Sequence, residues 1–462
     1  MSLYNRQQAG CLVMLMAFQS ISALGQQTNT AQTNKVAAAT TTNAASAIVE
    51  GISVETQWRT SVDPFLYPRM LVYLSNRSTA PVEFEKVFLN KKDVTKGLTN
   101  GVMYVQYYPT VQVQPGETVE LQVSMEEIPT VTQNLEIDVK GGRRVTTFIA
   151  PFAHPSHRIS GVSFSSDYRQ LFLTYVSQKA KESPNKLVVN GADCTPTMRV
   201  LETPSEERPG LISVSLPQPT AAGRPVHVRL QFESETTQCI VRAYRGISID
   251  SFGVGQEAKD LTLRHELGLS EKPFVMVSPD PACEDTRPGT TATMGSSMPL
   301  ILTERKALYA SAQDCLSYHY QCTAAGNSSY SLYGYCTDIL FCNPYRLQWS
   351  AHKKFIEAEA DFFRFAWEAA QPHPWGWFPE AFVLTSNARW LEGSELRSEA
   401  FAAISLGIKA VSYYTYGSGT AWSGFEKSPP LLAEIKRLNA DFKKLEPWLA
   451  AALPISQETV GH

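Results

Sequence analysis

The sequence lacks long hydrophobic runs beyond its first residues. No later apolar segment reaches the length of about 18 residues that a bilayer-spanning helix requires. The apolar stretch Cys11–Phe18 follows Arg6 and precedes small residues at Ala23 and Gly25, which is the arrangement of a secretory signal peptide. We therefore expect residues 1–25 to be a signal peptide. The mature chain is expected to be exported, without a membrane span, to the periplasm, the cell surface or the extracellular space.

An excess of charge of one sign is also missing. The chain has 41 basic and 44 acidic residues, a net charge of −3, and no basic run. Proteins that bind nucleic acid by its phosphates concentrate Lys and Arg on one face. We therefore do not expect a nucleic-acid partner. Neither the charges nor the apolar pattern specifies an oligomeric state.

Several motifs that would indicate a cofactor or a nucleophile are absent. The chain contains no CxxC pair, no HExxH and no GxSxG, which argues against zinc sites and against a serine-hydrolase elbow. The short Gly417–Gly419 run is not clearly followed by a helix start that would cradle a phosphate. We expect no metal and no cofactor.

Cysteine is present in modest number, and its pairing is open. Removal of residues 1–25 leaves seven of the eight cysteines, so at least one thiol must be free within a monomer. Four of the seven lie close together in sequence and could pair locally in an exported chain: Cys315, Cys322, Cys336 and Cys342.

The N-terminal part after the signal peptide divides into a linker and an all-β region. Residues 26–48 consist mainly of Gln, Thr, Ala and Asn, a composition that cannot bury enough apolar surface to fold. We expect a disordered linker there. In residues 49–152, apolar and polar side chains alternate, as in Val119–Met125. That period is typical of half-buried strands, and the region is predicted to be an immunoglobulin-like β-sandwich.

Residues 153–242 look like a second copy of this sandwich. Asn90–Thr95 (NKKDVT) corresponds to Asn190–Thr195 (NGADCT) at an offset of 100 residues, and internal duplication is the economical explanation. The shared Asn-x-x-Asp-x-Thr pattern has two interpretations, a calcium site or a turn. We favour the turn, because Asn and Asp side chains commonly hydrogen-bond to their own backbone.

Residues 243–455 alternate between strand-like and helix-like segments, which indicates an α/β domain. The segment Pro372–Gly419 predicts a strand, a helix capped by Ser394 and ended at Gly407, and a second, parallel strand. We count six strands, and a complete TIM barrel has eight. The barrel is therefore expected to be incomplete or irregular, unless further strands lie near Thr291 and Thr420.

The C-terminal half resembles the TIM-barrel cores of glycoside hydrolases that use two carboxylates. It is more closely similar to bacterial exported proteins that place such a core behind β-sandwich domains. The resemblance covers about residues 240–455, and five segments carry it: PFVMVS with its Asp-Pro turn, TDILFCNPY, WGWFPEAF, ELRSEAFAAISLGIKAVSYYTYG and LNADFKKLEPWLAAALPI.

The resemblance implies two strand-end carboxylates, an acid and a nucleophile. Glu380 is the best match for one of them, and we take Asp280 as the candidate partner. Relatives often read Asp-Glu-Pro where this chain reads Asp280-Pro281, so the expected glutamate is missing. Glu284 and Asp285 are the alternatives nearby. The pair would lie about 5–5.5 Å apart in a retaining enzyme and about 6.5–9.5 Å apart in an inverting one.

Polar and aromatic residues near the predicted strand ends are candidates for sugar binding, because aromatic rings stack on sugars and offer a polar handle. The candidates are Asp285, Asn343, Tyr345, Trp377, Trp390, Tyr414 and Tyr416. The first hypothesis is an exported carbohydrate-active protein that binds a polysaccharide at the barrel strand ends and hydrolyses it. The alternative is a non-catalytic cell-envelope protein with a degenerate barrel that binds a glycan or another protein.

Overall fold

A computed structural model describes most of the chain beyond the N-terminal segment. The described residues are 47–49, 51–59, 69–94, 103–108, 112–125, 129–179, 182–205, 208–244, 246–255, 258–270, 275–276, 317–322, 338–343, 355–384, 389–420 and 422–454. They form two consecutive β-sandwiches and a mostly parallel sheet with helices packed against it.

The first sandwich consists of two antiparallel sheets. One has the order β1-β2-β3-β8-β6, and the other has the order β10-β9-β4-β5, with β7 paired to β4. The strands are β1 (Ala47–Val49), β2 (Ile52–Arg59), β3 (Arg69–Asn76), β4 (Val82–Leu89), β5 (Lys92–Asp93), β6 (Met103–Tyr108), β7 (Gln112–Val113), β8 (Thr118–Met125), β9 (Gln133–Val139) and β10 (Arg143–Ile149). Alternate side chains such as Val72, Leu121 and Ile137 fill the space between the sheets, as the polar–apolar alternation predicts.

The second sandwich has sheets of order β11-β12-β16-β15 and β14-β13-β17-β18. Its strands are β11 (His157–Phe164), β12 (Gln170–Ser177), β13 (Lys186–Val189), β14 (Ala192–Asp193), β15 (Met198–Glu202), β16 (Gly210–Ser215), β17 (Pro225–Gln231) and β18 (Thr236–Arg242). Leu173, Leu187 and Leu230 lie in its core.

The two sandwiches repeat the same turn. Asn90 and Asn190 both have a φ of 48°, the left-handed conformation that Asn tolerates better than most residues. Asn90 Oδ1 accepts a hydrogen bond from the Asn134 N–H at 2.8 Å, and Asn190 Oδ1 accepts one from the His227 N–H at 2.8 Å. The Asn-x-x-Asp-x-Thr pattern therefore builds a turn, as predicted, and ties that turn to the neighbouring strand.

The third part contains a six-stranded sheet of order β19-β25-β23-β22-β21-β20, in which every described pair is parallel. These strands are β19 (Ser248–Ser251), β20 (Val275–Met276), β21 (Ser317–Cys322), β22 (Ile339–Asn343), β23 (Trp375–Trp377) and β25 (Ala410–Tyr413). The first strand lies beside the last, and the others follow in descending chain order. The parallel pairing of β23 with β25 confirms the predicted strand–helix–strand unit.

The two faces of this sheet have different coverings. Leu340, Trp377 and Tyr413 belong to a core packed against four helices: α1 (Leu261–Leu267), α2 (Phe355–Ala370), α3 (Gly393–Ser405) and α4 (Pro429–Ala451). Phe341 and Tyr414 point to the opposite face and join a separate, mainly aromatic cluster. Both faces are buried, which explains the continuous apolar runs of these strands.

Two helix ends differ from what the local sequence suggests. The N-cap of α3 is Glu392 rather than Ser394, because Glu392 and Glu395 form a reciprocal capping box, which satisfies two otherwise unpaired N–H groups. Proline usually ends a helix because it has no N–H to donate, yet α4 continues to Ala451 with Pro447 inside it. Its last turn is held by tertiary contacts, including a 2.7 Å hydrogen bond from Ser163 Oγ to the Ala451 carbonyl.

Two further expectations are corrected or limited by the structure. Cys342 is buried, forms no disulfide with another described cysteine, and its sulfur lies 3.8 Å from the Phe362 carbonyl oxygen; Cys315 and Cys336 lie outside the described residues. A strand is present near Thr420, but β26 (Trp422–Gly424) pairs antiparallel with β24 (Phe382–Leu384) and adds nothing to the parallel sheet. Among the described helices, none has the length and apolarity that crossing a bilayer requires.

Candidate functional site

The carboxyl-end edge of the parallel sheet carries Glu380, which follows β23 by three residues. Glu380 forms an isolated parallel bridge with Tyr414, just past the end of β25. The Tyr414 N–H donates to the Pro379 carbonyl at 3.2 Å, and the Thr415 N–H donates to the Ala381 carbonyl at 3.3 Å. The backbone ladder therefore extends beyond the two strands and fixes Glu380 at their ends. Its side chain is only 2% exposed.

A further buried carboxyl group, Glu399 on α3, interacts with both Glu380 and Glu359 of α2. Burial raises the pKa of Glu399 well above its ordinary value, and the charges of Glu359 and Glu380 raise this pKa further. Neither Glu399 oxygen has a hydrogen-bond donor within the protein. When Glu399 is protonated, however, it can hydrogen-bond with Glu359, a contact that also raises its pKa. The surroundings therefore favour the protonated form of Glu399, since the low-dielectric interior disfavours a second negative charge.

Arg389, next to this edge, pairs with Glu395 in the first turn of α3. Its guanidinium makes a forked contact with Glu395, at 2.7 and 2.6 Å to the two carboxylate oxygens. Its side chain is half exposed. The pKa of Arg389 is raised first by this hydrogen bonding, and the charges of Glu395, Glu392 and Glu380 raise it further. The Arg389–Glu395 pair holds the first turn of α3.

Asn343 ends β22 at the same edge of the sheet. Asn343 follows Phe341 by two residues in the strand, so the two side chains point to the same face. Phe341 faces the aromatic cluster. Asn343 is 4% exposed, and its Oδ1 accepts no hydrogen bond within the protein. A buried acceptor of this kind costs free energy until a donor from a ligand or a water molecule satisfies it.

The aromatic candidates divide between the two faces. Tyr414 lies in the aromatic cluster, with ring centroids 5.3 Å from Phe252 and 5.4 Å from Phe382. Trp377 faces the helices, is fully buried, and makes an edge contact with Phe363 at 5.9 Å. The Trp377 ring therefore presents no face to solvent. Tyr413 and Tyr414 point to opposite faces, as the strand period predicts.

Trp390 and Tyr416 are half-buried and pack at the margin of the helix-side core. The ring of Tyr416 makes an edge contact with Phe425 at 5.3 Å. Four other acids and aromatics that the sequence proposed lie outside the described residues: Asp280, Glu284, Asp285 and Tyr345. The structure thus brings Glu380, Asn343 and Tyr414 to one edge, whereas Trp377, the last residue of β23, turns toward the helices.

Sequence reasoning missed Glu359 and Glu399. A signal was present, because Glu399 follows Leu396 by three residues and precedes Ala403 by four, which puts it on the buried stripe of α3. A charged residue in an apolar stripe is either paired or has a shifted pKa. Chemically, the Glu399 carboxyl group can retain a proton beside the ionisable Glu380 carboxyl group at the strand end. No set of three His, Cys, Asp or Glu suited to a metal ion occurs among the described residues.

Comparison with known proteins does not identify a family. No protein-family profile and no curated protein matches the chain. The β-D-glucuronidase of Dictyoglomus thermophilum aligns over 85% of this chain and 98% of its own, at 10% identity and a TM-score of 0.26. A GH2 β-galacturonidase from Eisenbergiella tayi aligns over 84% and 89%, at 10% identity and a TM-score of 0.29. Similarities this low transfer neither fold nor activity to this chain.

Proposed function

We propose that this is an exported carbohydrate-active protein that binds a polysaccharide at the carboxyl-end edge of its parallel sheet. The unsatisfied, buried Asn343 Oδ1 carries the proposal. A sugar hydroxyl can donate to it, and Glu380 and Tyr414 lie at the ends of neighbouring strands. Ligands of parallel α/β domains characteristically bind at this edge.

We further propose that the sheet closes into a glycoside hydrolase-like (β/α) barrel. The support is the strand order, in which β19 already lies beside the last strand, β25. In addition, the chain that leads toward β20 bonds to β19, through the Ser270 N–H and the Ile249 carbonyl at 2.8 Å. Pairing of β19 with β20 would complete the ring.

Hydrolysis is a second candidate activity, favoured by the position of the Glu380 carboxyl group at the end of β23 beside Tyr414. A glycosidase needs one protonated and one ionised carboxyl group in contact with the substrate. Glu399 and Glu380 are 1% and 2% exposed, so an accessible partner for Glu380 has to come from Asp280, Glu284 or Asp285. Without such a partner, the protein acts as a non-catalytic envelope protein that binds a glycan.

A panel of plant and algal polysaccharides tests both activities. Wild type, Glu380→Gln and Asn343→Ala are compared for binding by affinity electrophoresis and for release of reducing sugar. Glu266→Gln, an exposed acid on α1, is the matched control. We expect Asn343→Ala to weaken binding about tenfold, the effect of about 1.4 kcal/mol. Loss of turnover in Glu380→Gln alone supports hydrolysis.

Other outcomes separate the alternatives. Binding without turnover in every variant supports the non-catalytic protein. Absence of binding to every polysaccharide contradicts the proposed function. Circular dichroism of each variant distinguishes loss of the site from loss of the fold, since Glu380 and Asn343 are buried.

A further inference from the structure

A cleft lies between the two β-sandwiches, away from the sheet edge that carries Glu380. It has a volume of about 1030 Å³ and is open to solvent on one side. Four arginines line it, Arg77, Arg224, Arg229 and Arg242, whereas Glu117 is the only acidic residue in the described lining. The cleft therefore has an excess of positive charge in a chain whose overall net charge is −3.

Two of these arginines have no ionic partner among the described residues. Arg229 contacts Glu55 at 2.8 Å, and Arg242 lies 3.8 Å from Asp338. No described carboxylate lies within ion-pair distance of Arg77 or Arg224, and both side chains are exposed. Unpaired guanidinium groups facing a concave surface are suited to forked contacts with carboxylates or sulfates.

The rest of the lining favours a hydroxyl-rich ligand. Neutral hydrogen-bonding side chains extend from both sandwiches into the wall, among them Gln112, Gln114, Asn190 and Gln231. His227 is the only aromatic side chain in the described lining, and its ring is already stacked against Tyr73 at 5.9 Å. The cleft thus offers polar contacts and positive charge but no free platform for a nucleobase.

The walls of the cleft are held in place by hydrogen bonds between the sandwiches. The Tyr73 hydroxyl donates to the Gln238 carbonyl at 2.8 Å, and the Gln238 N–H donates to Gln57 Oε1 at 2.8 Å. Gln238 Nε2 donates to Glu55 Oε2 at 3.0 Å. A cleft with preformed walls binds at a lower entropic cost than one that must be assembled by the ligand.

We propose that this cleft binds an acidic oligosaccharide, whose carboxylates pair with Arg77 and Arg224. The site is distinct from the sheet edge of the proposed function and does not depend on it. The two sandwiches, rather than the α/β domain, hold this charged glycan segment.

Isothermal titration calorimetry of the full chain with tri-galacturonate tests the proposal. The fully methyl-esterified trisaccharide is the matched neutral ligand, and hexaglutamate is the acidic peptide control. We expect tri-galacturonate to bind, the ester not to bind, and the affinity to fall as salt is raised. Arg77→Gln and Arg224→Gln should each weaken binding about tenfold. Arg199→Gln, an exposed arginine on β15 outside the cleft, should have no effect.

Three results would overturn the proposal. The first is absence of binding to tri-galacturonate. The second is equal binding of the ester or of hexaglutamate, which would mean that the charged sugar is not what is recognised. The third is wild-type affinity in both Arg77→Gln and Arg224→Gln, which would place the ligand elsewhere. Because both arginines are exposed, their replacement leaves the fold intact and each result can be interpreted.

Discussion

A buried titratable side chain makes the folding stability of the α/β domain depend on pH. Glu399 occupies an apolar helix face, and its carboxyl group has no donor from the rest of the protein when ionised. Between the ordinary pKa of a glutamate and the raised pKa of folded Glu399, the unfolded chain releases a proton that the folded chain keeps. The stability of the folded state therefore falls as pH rises through that window.

Glu399→Gln removes this loss of stability at high pH, since the amide is neutral at every pH and can donate to Glu359. We expect the variant to unfold at a higher temperature than wild type at pH 8 and to show a smaller difference at pH 5. Each kcal/mol gained should raise the unfolding temperature by about 2–4 °C for a domain of this size. Thermal unfolding followed by circular dichroism measures both values.

Glu395→Gln, on the same helix, is a comparison variant whose expected effect on stability at pH 8 has the opposite sign. Glu395 accepts hydrogen bonds from Arg389 and from the Glu392 N–H, which lower its pKa although burial acts against them. Its replacement should destabilise α3 at pH 8. If Glu399→Gln also destabilised the protein at pH 8, Glu399 would not be the neutral acid inferred here.

At the scale of elements, helix α4 shows how a tertiary contact extends a local structure. Its last turn passes Pro447, which cannot donate to the preceding turn. Lys409 reaches this turn from the start of β25, and its ammonium donates to the carbonyls of Leu449, Ala450 and Ala452. Burial lowers the pKa of Lys409 to about 7. A cation at the carboxyl end of a helix also interacts favourably with the helix dipole.

Lys409→Met tests this contact. The methionine fills a similar volume but leaves three carbonyl oxygens without their donor, which should cost about 2 kcal/mol of stability. Urea unfolding at pH 7 measures the loss, and Lys444→Met, at an exposed position of the same helix, is the control. Equal stability of the two variants would show that the last turn of α4 does not depend on Lys409.

At the scale of the whole molecule, buried polar contacts join the consecutive sandwiches. The Tyr73 hydroxyl bonds across the boundary to the Gln238 carbonyl, and burial, followed by the charge of Glu120, raises its pKa well above the ordinary value. Arg158, in the second sandwich, donates to Gln371 of the α/β domain at 2.8 Å. Such contacts transmit a disturbance in one part of the chain to its neighbour.

Tyr73→Phe removes one such contact without changing the ring. We expect a loss of about 1 kcal/mol and a wider separation between the calorimetric transitions of the two sandwiches. Tyr175→Phe is the control, because the Tyr175 hydroxyl donates to the Glu182 backbone carbonyl within the second sandwich. The interpretation is contradicted if Tyr175→Phe separates the transitions as much as Tyr73→Phe does.

The sequence alone determined the order of elements where local chemistry is decisive. The strand at Val119–Met125, the Asn turns at 90 and 190, and the left-handed Gly407 after α3 all appear in the structure. The strand-end position of Glu380 could also be predicted, because a parallel unit puts the residues after its strands at one edge. These features depend on backbone sterics and on the period of side chains along one segment.

Only the tertiary structure decided which side chains meet across segments. The proximity of Glu359, Glu380 and Glu399, the fork of Arg389 on Glu395, and the burial of Trp377 depend on how helices pack on the sheet. The arginine cleft likewise requires the two sandwiches to be juxtaposed. Sequence separation carries no direct information on such distances, since hydrophobic burial is non-directional and the geometry of packing fixes the partners.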